Sequence, residues 1–289
     1  MLELILTLLW FLGTTLLALS LIRRRHVVLK VLVASSVLIL NGLLLYTLIT
    51  SRTFQLFGEM VLPPNTEQTV IALTFDDGPT PQYTHAILKE LARNDVRATF
   101  FLTGREVSEN PAETKAIIDA GHEVGNHSWS HRRMIGVSPS FVRDEIETTD
   151  QAIRAAGYTG PILFRSPYGK RFLVAPWYLA RTNRPNVFWD IAPDDNPDVD
   201  SGTIVNDVVT NARPGSIVLL HLMYRSRDAS REALPGIIRG LREKGYRFVT
   251  VSELRRIAEE EVDQAGALTR GRSRYVGESR SSSTSSRTL

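Results

Sequence analysis

Two long apolar stretches stand at the start of the chain. Residues 4–22 and 31–50 are predominantly apolar, and each has the length that a helix needs to cross roughly 30 Å of hydrocarbon. A cleavable signal peptide is disfavoured, because the chain opens Met1-Leu2-Glu3 without a basic region before the apolar core. We therefore expect two transmembrane helices. The alternative is a single membrane anchor in which the second stretch has another role.

The connector between these stretches predicts their orientation. It holds four fixed positive charges, Arg23, Arg24, Arg25 and Lys30. Short basic loops stay on the cytoplasmic side of a membrane, so the N-terminus and everything after Thr50 should lie outside the cytoplasm. The pattern predicts a multi-pass protein of the cell membrane, with two spans and an extracytoplasmic domain.

After the anchor (1–52) and a linker (53–68), short apolar runs alternate with amphipathic stretches. The candidate strands, rich in β-branched and aromatic residues, are 70–75, 98–102, 122–125, 162–165, 186–190, 216–220 and 246–250. The candidate helices lie near 82–94, 111–120, 139–156, 172–183, 203–212, 230–244 and 252–264. Together they form one domain, 69–264. The Ser- and Arg-rich tail, 265–289, is predicted to be disordered.

The alternation of strands and helices predicts an α/β fold with a mostly parallel sheet, either open or closed. Polar residues suited to chemistry follow five of the strands. Their side chains converge only if the sheet closes on itself. We therefore expect an irregular seven-stranded (β/α) barrel, preceded by the two transmembrane helices.

Charge and composition exclude some classes of partner and site. The 289 residues carry a net charge of +3, and the sequence pI is about 9.2. The basic residues concentrate in the membrane connector and the tail, so nothing in the domain indicates a nucleic-acid partner. The chain has no cysteine, which excludes disulfides and thiolate metal sites.

Two adjacent carboxylates, Asp76 and Asp77, follow the first strand of the domain, and Gly78-Pro79 then turns the chain. Loops at strand ends are a usual place for catalytic groups in α/β proteins. Adjacent carboxylates repel one another, so a site that keeps both is expected to hold a cation.

A histidine pair downstream offers further ligands. His127 and His131 are four residues apart, which would place both rings on one face of a helical turn. Alone, such a pair is weak support for a metal, since many are surface or core histidines. Together with a carboxylate from another strand end, they make the three-ligand set typical of a hydrolytic divalent metal.

Four ordered motifs give the chain a family resemblance. They are Thr74-Phe75-Asp76-Asp77-Gly78-Pro79, His127-Ser128-Trp129-Ser130-His131, Arg165-Ser166-Pro167-Tyr168-Gly169 and Leu219-Leu220-His221. In this order they resemble the NodB-homology polysaccharide deacetylases, carbohydrate esterase family 4, over roughly residues 68–258. The resemblance implies a hydrolase of linear amides that removes N-acetyl groups from an envelope polysaccharide, peptidoglycan or exopolysaccharide.

The resemblance also implies roles for the motif residues. Asp77, His127 and His131 would hold a divalent metal, zinc in the first instance with cobalt or manganese as alternatives. Asp76 would be the general base that takes a proton from water, and Arg165 would position its carboxylate.

The remaining implied roles concern the departing amine and the substrate. His221 would be the general acid, with Asp195 as the carboxylate that orients either this histidine or the arginine. The backbone N–H of Tyr168 would stabilise the oxyanion, while Trp189 and Leu219 would line the substrate pocket. Read from the residues alone, His221 and Leu219 could equally be core positions.

The chain departs from the family pattern near Trp189. Ala192 and Asn196 replace expected residues, and Leu222 follows His221 where an aspartate is common. These changes put the substrate preference in doubt. The alternatives are an O-acetyl polysaccharide esterase on the same scaffold and a non-catalytic glycan-binding membrane protein.

Overall fold

A computed structural model of the chain describes residues 13–16, 20, 27–196 and 198–265. Its first long element is helix α1, Val27–Thr50, none of whose residues is buried. In the described part of the chain, α1 alone has the length and composition to cross a membrane. The predicted first span, 4–22, and the predicted tail lie almost entirely outside the described residues, so the two-span anchor stays a prediction.

Helices and strands alternate along the rest of the chain, as the sequence predicts. The helices are α2 (Thr84–Arg93), α3 (Gly104–Glu109), α4 (Pro111–Asp119), α5 (Pro139–Ala155), α6 (Val174–Arg181), α7 (Ser201–Asn211), α8 (Asp228–Glu243) and α9 (251–265). The strands are β1 (Met60–Val61), β2 (Val70–Asp76), β3 (Thr99–Leu102), β4 (Glu123–Asn126), β5 (Asn186–Val187), β6 (Ile217–His221) and β7 (Arg247–Phe248). Only β1 and the short α3 are without a counterpart in the sequence prediction.

The strands pair in the order β4-β3-β2-β6, with β7 beside the first residues of β2 and β1 beside β5. Every strand pair in the described residues is parallel, which confirms the α/β class with parallel strands. Asp76 lies opposite both Phe101 and His221. The C-terminal ends of three strands therefore meet at one edge, where side chains from each can converge.

The ring of strands is continued by single bridges on its remaining side. Phe164 bridges Asn126 of β4 and Asn186 of β5, and Ile191 bridges Val218 of β6. The predicted strands 162–165 and 186–190 are thus much shorter than expected. The parallel arrangement closes on this side through single residue pairs, which backbone hydrogen bonds hold.

Strand β2 is the buried centre of the domain, with all seven of its residues buried. Ile71, Leu73 and Phe75 belong to one core cluster, which includes residues of α2 and α8. Because successive side chains of a strand point to opposite faces, Thr74 and Asp76 face the other way, into the ring. Burying an apolar side chain such as Phe75 contributes about 1.5–3 kcal/mol, so this register is strongly fixed.

The segment between α1 and β2 is docked on the domain. Arg171, which is 1% exposed, donates from its guanidinium to the backbone carbonyls of Ser51 and Phe54. Further along, β1 pairs with β5. Residues 53–68, predicted as a linker, therefore contribute a strand and hydrogen-bond acceptors to the domain. Nothing in their local sequence pattern indicates these long-range contacts.

Candidate active site

The two adjacent aspartates lie where β2 breaks into a tight loop. Asp76 ends the strand, and the Asp77 N–H donates to the Phe101 carbonyl at 3.1 Å. Asp77 and Gly78 both have left-handed backbone angles, with φ of 75° and 74°. A Cβ at Gly78 would lie 2.6 Å from a Met223 side-chain carbon. The loop therefore needs glycine there, and it turns the Asp77 side chain away from the strand direction.

The two predicted histidines come together, but not on a helical turn. Residues 127–131 follow β4 as an irregular loop, in which Ser128 and His131 have φ of 68° and 55°. The ring centroids of His127 and His131 lie 4.9 Å apart. The helical-turn interpretation of their spacing is therefore wrong, although the proximity it predicts is correct.

The donor atoms of Asp77, His127 and His131 all lie within 4.8 Å of one another. Asp77 Oδ1 is buried without a hydrogen-bond partner in the described residues, and His131 Nε2 lies 3.5 Å from it. An unpartnered buried carboxylate oxygen is costly unless a cation or donor completes it. These three residues therefore fit a divalent metal ion.

The environment of His127 suits a metal ligand. Its Nδ1 lies 2.9 Å from the Arg165 carbonyl, and because a carbonyl only accepts, Nδ1 carries the proton. The lone pair is then on Nε2, which faces the aspartates. Burial lowers the pKa of His127 to about 3, so the ring stays neutral, the form that ligates metals.

Arg165 holds the Asp76 carboxylate inside the ring of strands. Both side chains are buried, and Arg165 Nη1 donates to Asp76 Oδ1 at 2.7 Å and to Thr74 Oγ1 at 2.8 Å. The guanidinium lies 4.0 Å from the centroid of the Phe101 ring. Burial by itself would raise the pKa of Asp76, but the charge of Arg165, with His127, brings it below its ordinary value. The carboxylate is therefore ionised and fixed in position.

His221 ends β6 and is paired with Asp194. Its Nδ1 lies 3.1 Å from Asp194 Oδ1, and its backbone N–H donates to Asp194 Oδ2 at 2.7 Å. Burial alone would lower the pKa of His221, but the hydrogen bond and charge of Asp194 raise it above its ordinary value. With Nδ1 occupied, Nε2 is the atom available to the cavity that His221 lines.

The assignment of Asp195 as the partner of His221 needs correction. Asp194 is 1% exposed and holds His221, whereas the Asp195 carboxylate pairs with Arg52 Nη2 at 3.0 Å. The two aspartates are neighbours in a loop, where no strand or helix period tells which one points inward. Sequence alignment to the family pattern selected the wrong one of the two.

A cavity of about 590 Å³ opens beside these groups. The predicted pocket residues Tyr168, Trp189 and Leu219 all line it. Tyr168 has a left-handed φ of 58°, and its ring centroid lies 4.5 Å from that of His131. Trp189 Nε1 is buried without a partner in the described residues.

Five lining residues were not singled out from the sequence: Arg52, Lys170, Tyr224, Ser226 and Arg227. Lys170 follows a recognised motif directly, so proximity could have indicated it. Arg52 lies just after the apolar helix, far along the chain from any motif, and had no such signal.

The arrangement can therefore hold a divalent ion beside an ionised carboxylate, with a protonatable imidazole on the far strand. Such a site can activate water, accept a proton at one carboxylate and donate one at His221. That combination suits hydrolysis of an acyl group.

Comparisons with known proteins agree with this chemistry. The family model for polysaccharide deacetylase matches residues 64–183. A peptidoglycan-N-acetylmuramic acid deacetylase, PdaC of Bacillus subtilis, is 37% identical over 199 residues, which are 69% of this chain and 41% of that protein. A peptidoglycan-N-acetylglucosamine deacetylase of Bacillus cereus is 39% identical over 197 residues, which are 67% of this chain and 91% of the relative.

A solved structure shares the fold. The peptidoglycan deacetylase PdaC from Bacillus subtilis superposes with a TM-score of 0.63 at 35% identity, covering 71% of this chain and 98% of the solved one. The chain thus matches less than half the length of the whole PdaC protein, but nearly all of the part whose structure is solved.

Proposed function

Because the chain belongs to the polysaccharide deacetylase family of hydrolases, we propose that it is a membrane-anchored, metal-dependent deacetylase. It removes N-acetyl groups from an N-acetylated envelope polysaccharide, with peptidoglycan as the first candidate. The observation that carries the proposal is the cluster of Asp77, His127 and His131 beside the Asp76–Arg165 pair.

Asp77, His127 and His131 would hold the ion, with zinc as the first expectation. An ion there supplies Lewis acidity, which polarises a carbonyl and lowers the pKa of water. The unpartnered Asp77 Oδ1 and the deprotonated Nε2 of His127 are the atoms that support this assignment.

Asp76 is the proposed general base. Arg165 occupies its Oδ1 at 2.7 Å, so Oδ2 is the oxygen that receives the proton from water. The same arginine keeps Asp76 ionised before the proton arrives. Because both side chains are buried, their relative position does not depend on solvent.

His221 is the proposed general acid. Asp194 fixes its ring and keeps Nε2 directed away from Asp194, so a proton held on Nε2 can pass to the departing amine nitrogen. The Tyr168 backbone N–H is proposed to stabilise the oxyanion of the acetyl carbonyl, and Leu219 and Trp189 to enclose the acetyl group.

Acetate release tests this function. The full chain in detergent, supplied with zinc or cobalt, should release acetate from N-acetylglucosamine oligomers and from peptidoglycan. Release from O-acetylated xylan alone would favour the esterase alternative. Glycan binding with no release from any substrate would favour the non-catalytic one.

A further inference from the structure

Helix α1 ends beside the proposed active site. It ends at Thr50, and Arg52, two residues further on, lines the cavity together with Asp76 and His221. Consecutive Cα atoms are about 3.8 Å apart, so the end of the apolar helix lies within roughly 8 Å of a residue that forms the cavity wall.

Arg52 is seated in that wall by two contacts. Its Nη2 lies 3.0 Å from Asp195 Oδ2, and its guanidinium lies 5.2 Å from the centroid of the Trp189 ring. Both partners themselves line the cavity. The first residues after the helix are thus part of the substrate site.

Arg171 holds this segment in place. It is buried, and in the described chain no carboxylate lies within salt-bridge distance of it. Its guanidinium donates to the carbonyls of Ser51, Phe54 and Gly169, and it stacks 4.2 Å from the Phe188 ring centroid. A buried cation needs these acceptors. One side chain therefore joins the post-helix segment to the loop that carries Tyr168.

Three cations, Arg52, Lys170 and Arg227, line the cavity, and so do the carboxylates of Asp76, Asp77 and Asp195, of which Asp195 pairs with Arg52. Among the described residues, no carboxylate forms a salt bridge with Lys170 or with Arg227, which line the cavity beside Arg52. Arg227 Nη1 donates instead to the Asp194 carbonyl at 2.6 Å. Cations without acid partners suit an anionic group on the ligand, such as a phosphate.

We propose that residues 51–54 hold the cavity at the outer membrane face, and that the substrate is an N-acetylated glycan linked to the bilayer through a phosphate-bearing lipid. This inference rests on the proposed deacetylase function and on α1 crossing the membrane. A short connection and a docked segment leave the domain little freedom to reach polymer far from the bilayer.

Proteoliposomes containing the full chain and zinc provide the activity test. The probes are chitotetraose joined through a phosphodiester to a dipalmitoyl lipid, and the same phosphorylated oligosaccharide without the lipid. Both probes are added to the outside of preformed proteoliposomes, so both reach only the enzyme that faces outward. The ratio of the two rates in one preparation therefore does not depend on the fraction of enzyme in that orientation. We expect the lipid-linked probe to react faster by on the order of 10²-fold, because confinement raises its effective concentration.

A spacer insert tests whether the rate ratio depends on the distance of the domain from the bilayer or only on its being tethered to the membrane. A helical (EAAAK)-type insert of about 20 residues between Thr50 and Ser51 moves the domain roughly 30 Å outward and leaves residues 51–54 intact. It should lower the rate ratio at least about tenfold and keep the rate on the free oligosaccharide within about twofold. A Gly/Ser insert of equal length is the matched control and should retain much of the ratio, because a flexible chain can fold back.

Depth measurements test the geometry without activity. The chain has no cysteine, so a bimane label can be placed at Lys170→Cys on the cavity wall or at Gln68→Cys, before the start of β2. The two ends of the seven-residue strand β2 are about 20 Å apart. A quencher on lipid headgroups should quench the Lys170→Cys label more strongly.

The outcomes separate the two proposals. Release from the free oligosaccharide with a rate ratio near one, or an unchanged ratio with the rigid spacer, overturns the membrane-face proposal alone. Equal quenching at the two labels also overturns it. No release from either probe overturns the deacetylase function, and the lipid-linked substrate with it.

Discussion

At the scale of single residues, two adjacent aspartates have opposite environments. Burial raises the pKa of Asp77, and the neighbouring charges of Asp76 and Glu106 add to the rise. Asp76 faces Arg165 instead, and its pKa is lowered overall. The left-handed turn at Asp77 separates the two side chains, so that one is free to ligate a metal and the other to accept a proton.

Single substitutions of the aspartate and of a histidine distinguish the proposed role of general base from that of metal ligand. Asp76→Asn should keep the metal and lower kcat by on the order of 10²–10⁴-fold. His131→Ala should lose the metal, because one of three ligands is gone. His85→Ala is the control, since His85 is exposed and lies outside the cluster. Metal analysis of the purified variants and acetate release measure both effects; full activity in both variants would contradict the roles.

The pH profile distinguishes Asp194 from Asp195. His221 must be protonated to act as an acid, and Asp194 raises its pKa. Asp194→Asn should therefore move the alkaline limb of kcat/KM to lower pH and reduce kcat by on the order of 10²-fold. Asp195→Asn should leave that limb in place, because Asp195 pairs with Arg52. A limb that moves with Asp195→Asn instead would reverse the assignment.

Much of the residue-level site could be predicted from the sequence, and the exceptions have physical reasons. Asp76, Asp77, His127, His131, Arg165 and His221 lie in recognisable motifs at strand ends, and the parallel sheet brings those ends together. Asp194 lies in a loop with no periodicity. Arg52 and Arg171 act through contacts more than one hundred residues apart in sequence, which no local pattern records.

At the scale of elements, the docked segment determines where a stable domain begins. A fragment that starts after Gln55 lacks the carbonyls that accept from Arg171. Leaving buried donors without acceptors costs about 1–3 kcal/mol each. A fragment starting at residue 56 should therefore melt roughly 5–10 °C below one starting at residue 51.

Differential scanning calorimetry of the two fragments measures this difference. Phe54→Ala in the longer fragment is the control, since it removes a half-exposed side chain and keeps the carbonyl. It should change stability by no more than about 0.5 kcal/mol. Equal melting of the two fragments would show that the segment contributes nothing to the fold.

At the scale of the whole molecule, α1 is exposed along its length and carries no buried residue, as expected for a helix that contacts lipid. The basic residues before it predict that the domain lies outside the cytoplasm. Whether the first predicted span exists determines on which side of the membrane the N-terminus lies, but the predicted side of the domain stays the same.

Cysteine accessibility tests the orientation. In a chain without native cysteine, Glu67→Cys should react with an impermeant maleimide in intact cells, and Lys30→Cys should react only after permeabilisation. The full chain should resist extraction from membranes by alkaline carbonate, whereas a variant lacking residues 1–50 should be soluble. Labelling of Lys30→Cys in intact cells would reverse the orientation.

The way in which the ring of strands closes predicts how the enzyme loses activity in denaturant. Phe164 and Ile191 join the ring there through single bridges, and Arg165 and Trp189 belong to the same two segments. We define residues 162–165 and 186–191 as the seam. Each of these bridges is a single residue pair, whereas β2 pairs with β6 over five residues. We therefore expect the seam to open before the rest of the sheet under mild denaturant. Opening would withdraw the guanidinium from Asp76 while the helices persist, so the enzyme should become inactive well before its circular dichroism reports unfolding.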